Sequence, residues 1–157
     1  MIDRVVSALC LIAAPAFAAP PVLNWPIDCT LGKTCFIQQY MDLDDTDGVR
    51  DFAGGRVTYD GHKGTDIRLT THKAMQAGVN VLATTAGRVK GLRNSMVDRM
   101  LRSDADRAAI NGKDCGNGVV IVHVDGWETQ YCHMKQGSLT VVKDQAVQAG
   151  DVLGQVG

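Results

Sequence analysis

The sequence predicts a mainly β protein, an antiparallel sheet arranged as an open barrel or sandwich. Short apolar or alternating runs recur from residue 55 onward, and Gly, Asp or Asn residues separate them, as is typical of strands joined by tight turns. The runs are 56–59, 65–69, 79–83, 87–92, 119–124, 127–131, 139–142 and 152–156. Only the stretch 94–110 places its apolar residues at helical spacing, at Met96, Met100, Leu101, Ala105 and Ala108, and it predicts a short helical insertion.

The Asp-Gly pair at 125–126 predicts the most specific local structure, a β-hairpin. Asp-Gly between two apolar runs is typical of a two-residue type I′ turn. That turn pairs His123 with Glu128 and Val120 with Tyr131. His123 is therefore expected to be a cross-strand charge partner of Glu128.

Composition and charge exclude several classes of function. The 157 residues carry 16 Lys and Arg against 17 Asp and Glu, a formal net charge of −1. A chain this close to neutral has no global field that would steer it onto nucleic acid or an anionic membrane. Glu128 is the only glutamate, which argues against a His-Glu-x-x-His zinc helix.

Residues 1–18 have the features of a secretory signal peptide. Arg4 precedes an apolar run, and the run ends in the small-residue cleavage pattern of 16–18. The run is too short to span a bilayer as a helix of about 20 apolar residues. We expect an exported protein, periplasmic or extracellular, with no membrane-spanning segment in the mature chain.

Cysteine usage agrees with export. Four cysteines remain after residue 18, and an even number in an exported chain suggests two disulfides, with three possible connectivities. We favour Cys29–Cys35 and Cys115–Cys132. The second bridge requires a bend at the glycines of 116–118, because a straight strand would leave Cys115 roughly 13 Å too far along.

The segment 19–57 is rich in Pro, Asp and turn residues, and we treat it as an N-terminal extension that contains the first disulfide. Its acidic run 42–47 resembles the start of a calcium loop. It lacks the Gly at the sixth position and the closing Glu at the twelfth. A solvated acidic loop is the expected structure.

His62 and Asp66 form an H-x-x-x-D pattern that offers one nitrogen and one oxygen donor. Zinc binds both donor types at about 2.0–2.2 Å, so its ligands must converge. Residues four apart on a straight strand lie about 13 Å apart. A bend at Gly61 or Gly64 is therefore required for a shared ion.

Five segments in order resemble the LytM/lysostaphin-type metallopeptidases, which cut peptide bonds in bacterial cell walls. The segment 61–67, GHKGTDI, looks like the first zinc motif of that family. The others look like its A-x-G-x-V, G-N-x-V-x-I, Y-A-H-L and V-x-x-G-x-x-I-G-x-x-G segments, and they lie at 86–89, 116–121, 131–134 and 147–157. The resemblance covers about 58–157, which we take as the metallopeptidase domain.

The resemblance implies a site for one Zn²⁺. His62 and Asp66 would be metal ligands, and His133 of the Y-A-H-L segment would be the catalytic residue. The family takes its third ligand from an H-x-H motif that follows the last glycine segment, and no H-x-H occurs in this sequence. We therefore expect the domain to be C-terminally incomplete. Neither His72, in a polar stretch, nor His123 is assigned to the metal.

The function implied is a zinc-dependent endopeptidase acting on the cross-linking peptides of peptidoglycan. One alternative is a degenerate, non-catalytic domain of the same family that binds cell wall or regulates cell-wall hydrolases. A second is a biotinyl- or lipoyl-type carrier, since 147–154 resembles the closing strand of such domains and Lys135 offers an acceptor. The carrier leaves the H-x-x-x-D pattern unexplained.

Overall fold

The computed structural model describes residues 19–157. The predicted signal peptide and Cys10 lie outside the described residues, so export stays a prediction. Within 19–157, no helix has the length and apolar character needed to cross a bilayer.

Antiparallel strands dominate the described chain, which confirms the mainly β prediction. The strands are β1 (Cys35–Gln39), β2 (Asp66–Leu69), β3 (Asn80–Leu82), β4 (Gly87–Arg93), β5 (Asn117–Val122), β6 (Glu128–Met134), β7 (Ala146–Val147) and β8 (Val152–Gln155). The helices are α1 (His72–Ala77) and α2 (Asp104–Ala109), with a 3₁₀ turn at Val124–Gly126. The main sheet has the order β6-β5-β4-β7, and β1-β2 and β3-β8 form two-stranded sheets.

One hydrophobic core joins the main sheet to the β3-β8 sheet, as in a sandwich. Alternate residues of β5, Val119 and Ile121, are fully buried, while Val120 and Val122, each following one of them, are only partly buried. This alternation is expected of a strand with one face on a core. The same core contains Val81, Ala83, Val89, Tyr131, Met134, Val141, Val147 and Leu153.

The predicted register of the β5-β6 hairpin is wrong by one residue. Val122 pairs with Glu128 and Val119 pairs with Tyr131. The loop is a 3₁₀ turn that ends at Gly126 in a left-handed conformation, with φ of 81°. A type I turn followed by a left-handed residue makes a three-residue loop, and the additional residue shifts the register.

The shift also overturns the role expected for His123. Its side chain is 7% exposed, its Nδ1 lies 2.8 Å from the Ala86 carbonyl oxygen, and its Nε2 lies 2.8 Å from Thr129 Oγ1. Glu128 instead forms a salt bridge with Lys90. His123 is thus a hydrogen-bonded core residue and not a charge partner of Glu128.

The helical insertion is shorter than predicted. The helix covers only Asp104–Ala109, where a capping box between Ser103 and Asp106 begins it. Upstream, the backbone N–H of Met96 donates to the side chain of Asn117, and the Met96 carbonyl accepts from it. These bonds hold 94–103 against the sheet in irregular structure.

Other predicted elements also differ from the structure. Residues 56–59 and 139–142 form no strand, whereas β1 and α1 arise where the sequence predicted neither. Helix α1 begins at a Thr71 side-chain cap that accepts from Ala74 N–H. His72 in this helix is exposed, as expected.

Both favoured disulfides are present. Cys29 and Cys35 have a Cα–Cα distance of 6.0 Å, and Cys115 and Cys132 one of 4.7 Å. The bend required for the second bridge occurs at Gly116, whose φ is 61°. A register shift between residues 117 and 119 follows it, so the strand does not continue straight to Cys115.

Replacing Gly118 with Ala should destabilise the protein, because this glycine lies against β6. A Cβ at Gly118 would lie 2.3 Å from the Tyr131 carbonyl oxygen, whereas one at Gly91 would meet nothing within 4 Å. We expect Gly118→Ala to lower the free energy of unfolding by about 1–3 kcal/mol and Gly91→Ala to change it by about 0.5 kcal/mol or less. Urea denaturation of both variants measures the difference, and equal midpoints would contradict the β5-β6 packing.

Acid should weaken the loop at 51–57 through Asp51. Hydrogen bonds from the backbone amides of Val57, Gly55 and Ala53 hold the pKa of Asp51 below its ordinary value of 3.8. The unfolded chain therefore takes up this proton first as the pH falls, and stability decreases with it. The stabilisation that ionised Asp51 contributes is present above pH 3.8, the pKa in the unfolded chain. It is lost as the pH falls through the lower pKa that Asp51 has in the folded protein.

Denaturation curves measured between pH 2 and pH 6 check this expectation. Asp51→Asn should show a shallower loss of stability with acid than the unsubstituted protein. An identical pH dependence in the two proteins would show that protonation of Asp51 is not coupled to unfolding.

Candidate metal and catalytic site

The structure brings the two predicted metal ligands together. His62 Nε2 lies 3.3 Å from Asp66 Oδ1. The chain bends at Gly64, between the two side chains, before β2 begins at Asp66, so one of the two predicted bends lies where the pair requires it. His62 is 7% exposed and the Asp66 side chain is 43% exposed, which leaves the pair open to solvent on the carboxylate side.

A backbone carbonyl fixes the orientation of the His62 ring. Nδ1 lies 2.6 Å from the carbonyl oxygen of Tyr40. A carbonyl oxygen only accepts, so Nδ1 carries the proton and Nε2 is the nitrogen directed at Asp66. Histidines that bind metals almost always donate their other ring N–H in this way.

An aromatic ring holds the face of the same imidazole. The rings of Tyr59 and His62 stack with centroids 4.3 Å apart and an interplanar angle of 26°. The hydroxyl of Thr58 donates to the carbonyl of Tyr40, the group that accepts from His62. The residues around His62 thus restrict its rotation on two sides.

The donor pair fits zinc in type and spacing. An imidazole nitrogen and a carboxylate oxygen belong to its usual ligand set, and bonds of about 2.0–2.2 Å in a tetrahedron separate two ligands by about 3.3–3.6 Å. The observed separation of 3.3 Å lies in this range. Within residues 19–157, no group of three or more His, Cys, Asp or Glu side chains is arranged to hold a metal. His62 and Asp66 are thus a pair of candidate donors without a third beside them in the described residues.

His133, the predicted catalytic residue, lies beside a cavity. It is exposed near the end of β6 and lines a cavity of about 400 Å³. Residues of the insertion, including Met96, Met100 and Leu101, form a wall of that cavity. His72 of α1 lines the same cavity.

The family of the chain follows from comparison with known proteins. Residues 60–157 match the model of Peptidase family M23. The protein belongs to peptidase family M23. Comparisons with curated proteins and with solved structures gave no match. The matched range of this M23 domain contains His62, Asp66 and His133, and the family predicted from the sequence is confirmed. The individual roles of the three residues remain predictions.

Sequence reasoning missed the carbonyl of Tyr40, which contacts the His62 side chain. Every residue has a carbonyl, so the sequence carries no signal for this one. Tyr40 is also 22 positions from His62, and only the pairing of β1 with β2 brings them together. Tyr59, three residues before His62, was detectable only as an aromatic residue near the motif.

The backbone of His133 in the M23 domain is strained. Its φ is 55°, a left-handed conformation that costs a side-chain-bearing residue roughly 1–2 kcal/mol. The His133 N–H donates to the Cys115 carbonyl, and the His133 carbonyl accepts from Gly157 N–H. The neighbouring disulfide at Cys132 adds a covalent constraint. Such strained positions cluster at functional sites.

Substitutions at His133 should reverse the usual preference for Ala over Gly. Both variants remove the imidazole, but only His133→Gly relieves the left-handed strain. We expect His133→Gly to exceed His133→Ala in free energy of unfolding by about 1 kcal/mol. Chemical denaturation of the two variants makes the comparison, and a more stable Ala variant would contradict the backbone conformation.

Proposed function

We propose that the protein is a zinc-dependent endopeptidase that hydrolyses the peptide cross-links of bacterial peptidoglycan. Membership of peptidase family M23 supports a peptidase. The metal site is supported by the 3.3 Å contact between His62 Nε2 and Asp66 Oδ1, with His62 Nδ1 bonded to a backbone carbonyl. The nearly neutral net charge of −1 favours neither nucleic acid nor an anionic membrane as a partner.

His62 and Asp66 would hold the ion, each through the atom that faces the other. A zinc ion held there would supply Lewis acidity toward the scissile carbonyl and toward water. The Tyr40 carbonyl engages His62 Nδ1, so His62 binds through Nε2 and does not shuttle a proton. The Asp66 carboxylate contributes a negative charge that partly balances the cation.

His133 would move protons for the reaction. An imidazole is the side chain best suited to accept and return a proton near neutral pH. His133 is exposed at the edge of the cavity walled by the insertion. A cavity of about 400 Å³ is within the range that small ligands occupy, and the insertion would limit which peptides reach His133.

Export belongs to the same proposal. The leader-like residues 1–18 support it, and so do the two disulfides, which persist in oxidising compartments. Peptidoglycan lies outside the cytoplasmic membrane, so an exported peptidase would meet its substrate there.

Zinc analysis combined with digestion of muropeptides tests the proposal. The full-length protein with its disulfides formed should bind one zinc ion, and His62→Ala should lose it. His72→Ala is the matched control, since this exposed histidine is outside the ligand pair, and it should keep the zinc. Digestion should produce new peptide ends, stop with chelator and resume with added zinc.

Two outcomes would overturn the proposal in different ways. Zinc bound through His62 without any new peptide ends would favour a non-catalytic domain that binds cell wall. Absence of zinc under all conditions, or zinc unaffected by His62→Ala, would remove the metal site itself.

A further inference from the structure

We propose that residues 40–42 of the N-terminal extension are a positioning element of the metal site, with Asp42 as the residue that fixes the Gly61–His62 dipeptide. The inference rests on the proposed function, because it assigns these residues to the zinc ligands named there. Its basis is that the extension lies outside the family match, which begins at residue 60, yet makes the closest contacts with His62.

Three hydrogen bonds connect the segment to the motif. The Tyr40 carbonyl accepts from His62 Nδ1 at 2.6 Å, and Asp42 N–H donates to the His62 carbonyl at 2.8 Å. The Asp42 carboxylate oxygen Oδ2 accepts from Gly61 N–H at 3.0 Å. Asp42 therefore engages the dipeptide at both ends, at Gly61 N–H and at the His62 carbonyl.

The loop after Asp42 holds its carboxylate in place. Oδ1 accepts from the backbone amides of Asp44 at 3.1 Å and Arg50 at 2.9 Å. This leaves Oδ2 directed at Gly61. The acidic loop thus uses its first carboxylate to order the chain, with N–H donors occupying both oxygens.

The end of β1 also lies beside the second ligand. Gln39, the last residue of β1, pairs with Asp66 across the β1-β2 ladder. The disulfide Cys29–Cys35 anchors the first residue of β1. One continuous segment, 39–42, therefore contacts the backbone or side chain of both ligands, and it fixes their separation from outside the motif.

A ligand pair held in this way should lose metal affinity when the support is removed. The bend at Gly61 has a left-handed φ, and only the surrounding bonds select it from the many conformations open to glycine. Substitution of groups that orient metal ligands typically weakens metal binding by about 10–100-fold. Asp42 should therefore influence zinc binding without touching the ion.

The test compares Asp42→Ala with Asp44→Ala in the full chain with both disulfides formed. Asp44 is a matched control in the same loop, since its carboxylate accepts from the backbone and hydroxyl of Thr46 and, among residues 19–157, from no group of the Gly61–His62 dipeptide. We expect the zinc dissociation constant, measured by competition with a chelator, to rise about 10–100-fold in Asp42→Ala. Asp44→Ala should retain the affinity of the unsubstituted protein.

A second readout needs no metal. Nitrogen-15 NMR should detect a slowly exchanging Nδ1 proton on His62 in the unsubstituted protein and in Asp44→Ala, because the Tyr40 carbonyl holds it. Asp42→Ala should lose that protection while its melting temperature stays near that of the control. If Asp42→Ala fails to fold, Asp42→Asn replaces it. The asparagine side chain has one oxygen, which can accept from the loop amides or from Gly61 N–H but not from both. We therefore expect Asp42→Asn to lose less of the Nδ1 protection and of the zinc affinity than Asp42→Ala.

The outcomes separate this inference from the proposed function. Zinc binding by the unsubstituted protein with equal affinity in Asp42→Ala, or an unchanged Nδ1 proton in that variant, would overturn the positioning role. Failure of every variant to bind zinc would overturn the proposed function, and the NMR comparison would still decide the role of Asp42.

Discussion

The proposed chemistry requires the chain to bend between His62 and Asp66. Four residues of extended chain would separate these two residues by about 13 Å, and with a bend at Gly64 their donor atoms lie 3.3 Å apart. Neighbouring groups maintain that geometry. The Tyr40 carbonyl fixes the imidazole, and Asp42 fixes the backbone on which the imidazole is carried. The site is thus made by the extension and the family domain together.

The main sheet and its core give rigid support to His133, the predicted catalytic residue. Val119 and Ile121 of β5 are buried, with Tyr131 and Met134 of β6 in the same core. His133 lies directly before Met134, whose exposure is 1%. The position of the exposed imidazole is therefore tied to a fully packed neighbour. The irregular insertion faces the same side, held to the sheet through Asn117.

Much of this architecture could be predicted from the sequence, where neighbouring residues determine the local structure. Glycine within the H-x-x-x-D pattern indicated a bend, and cysteine number and spacing indicated both bridges. The hairpin register was not predictable from Asp-Gly alone. A two-residue and a three-residue loop both accept that pair, and the difference of one residue moved His123 from the predicted charge pair into the core.

Contacts between distant residues account for the rest of what the sequence did not reveal. Met96, Met100 and Leu101 have helical spacing, but no helix forms there. The Asn117 side chain forms hydrogen bonds with both the N–H and the carbonyl of Met96. These tertiary hydrogen bonds override the local helix propensity. The support of His62 by a backbone carbonyl is likewise a product of the β1-β2 pairing. Both cases concern backbone groups, which have no residue-specific signature.

Anomalous diffraction at the zinc edge, from crystals of the protein grown with zinc, would show whether His62 and Asp66 bind the ion together. We expect a single strong peak about 2.0–2.2 Å from both His62 Nε2 and an Asp66 carboxylate oxygen, with Nδ1 still bonded to the Tyr40 carbonyl. No peak between these side chains, with His62 and Asp66 bonded directly to each other while zinc is present, would contradict this expectation.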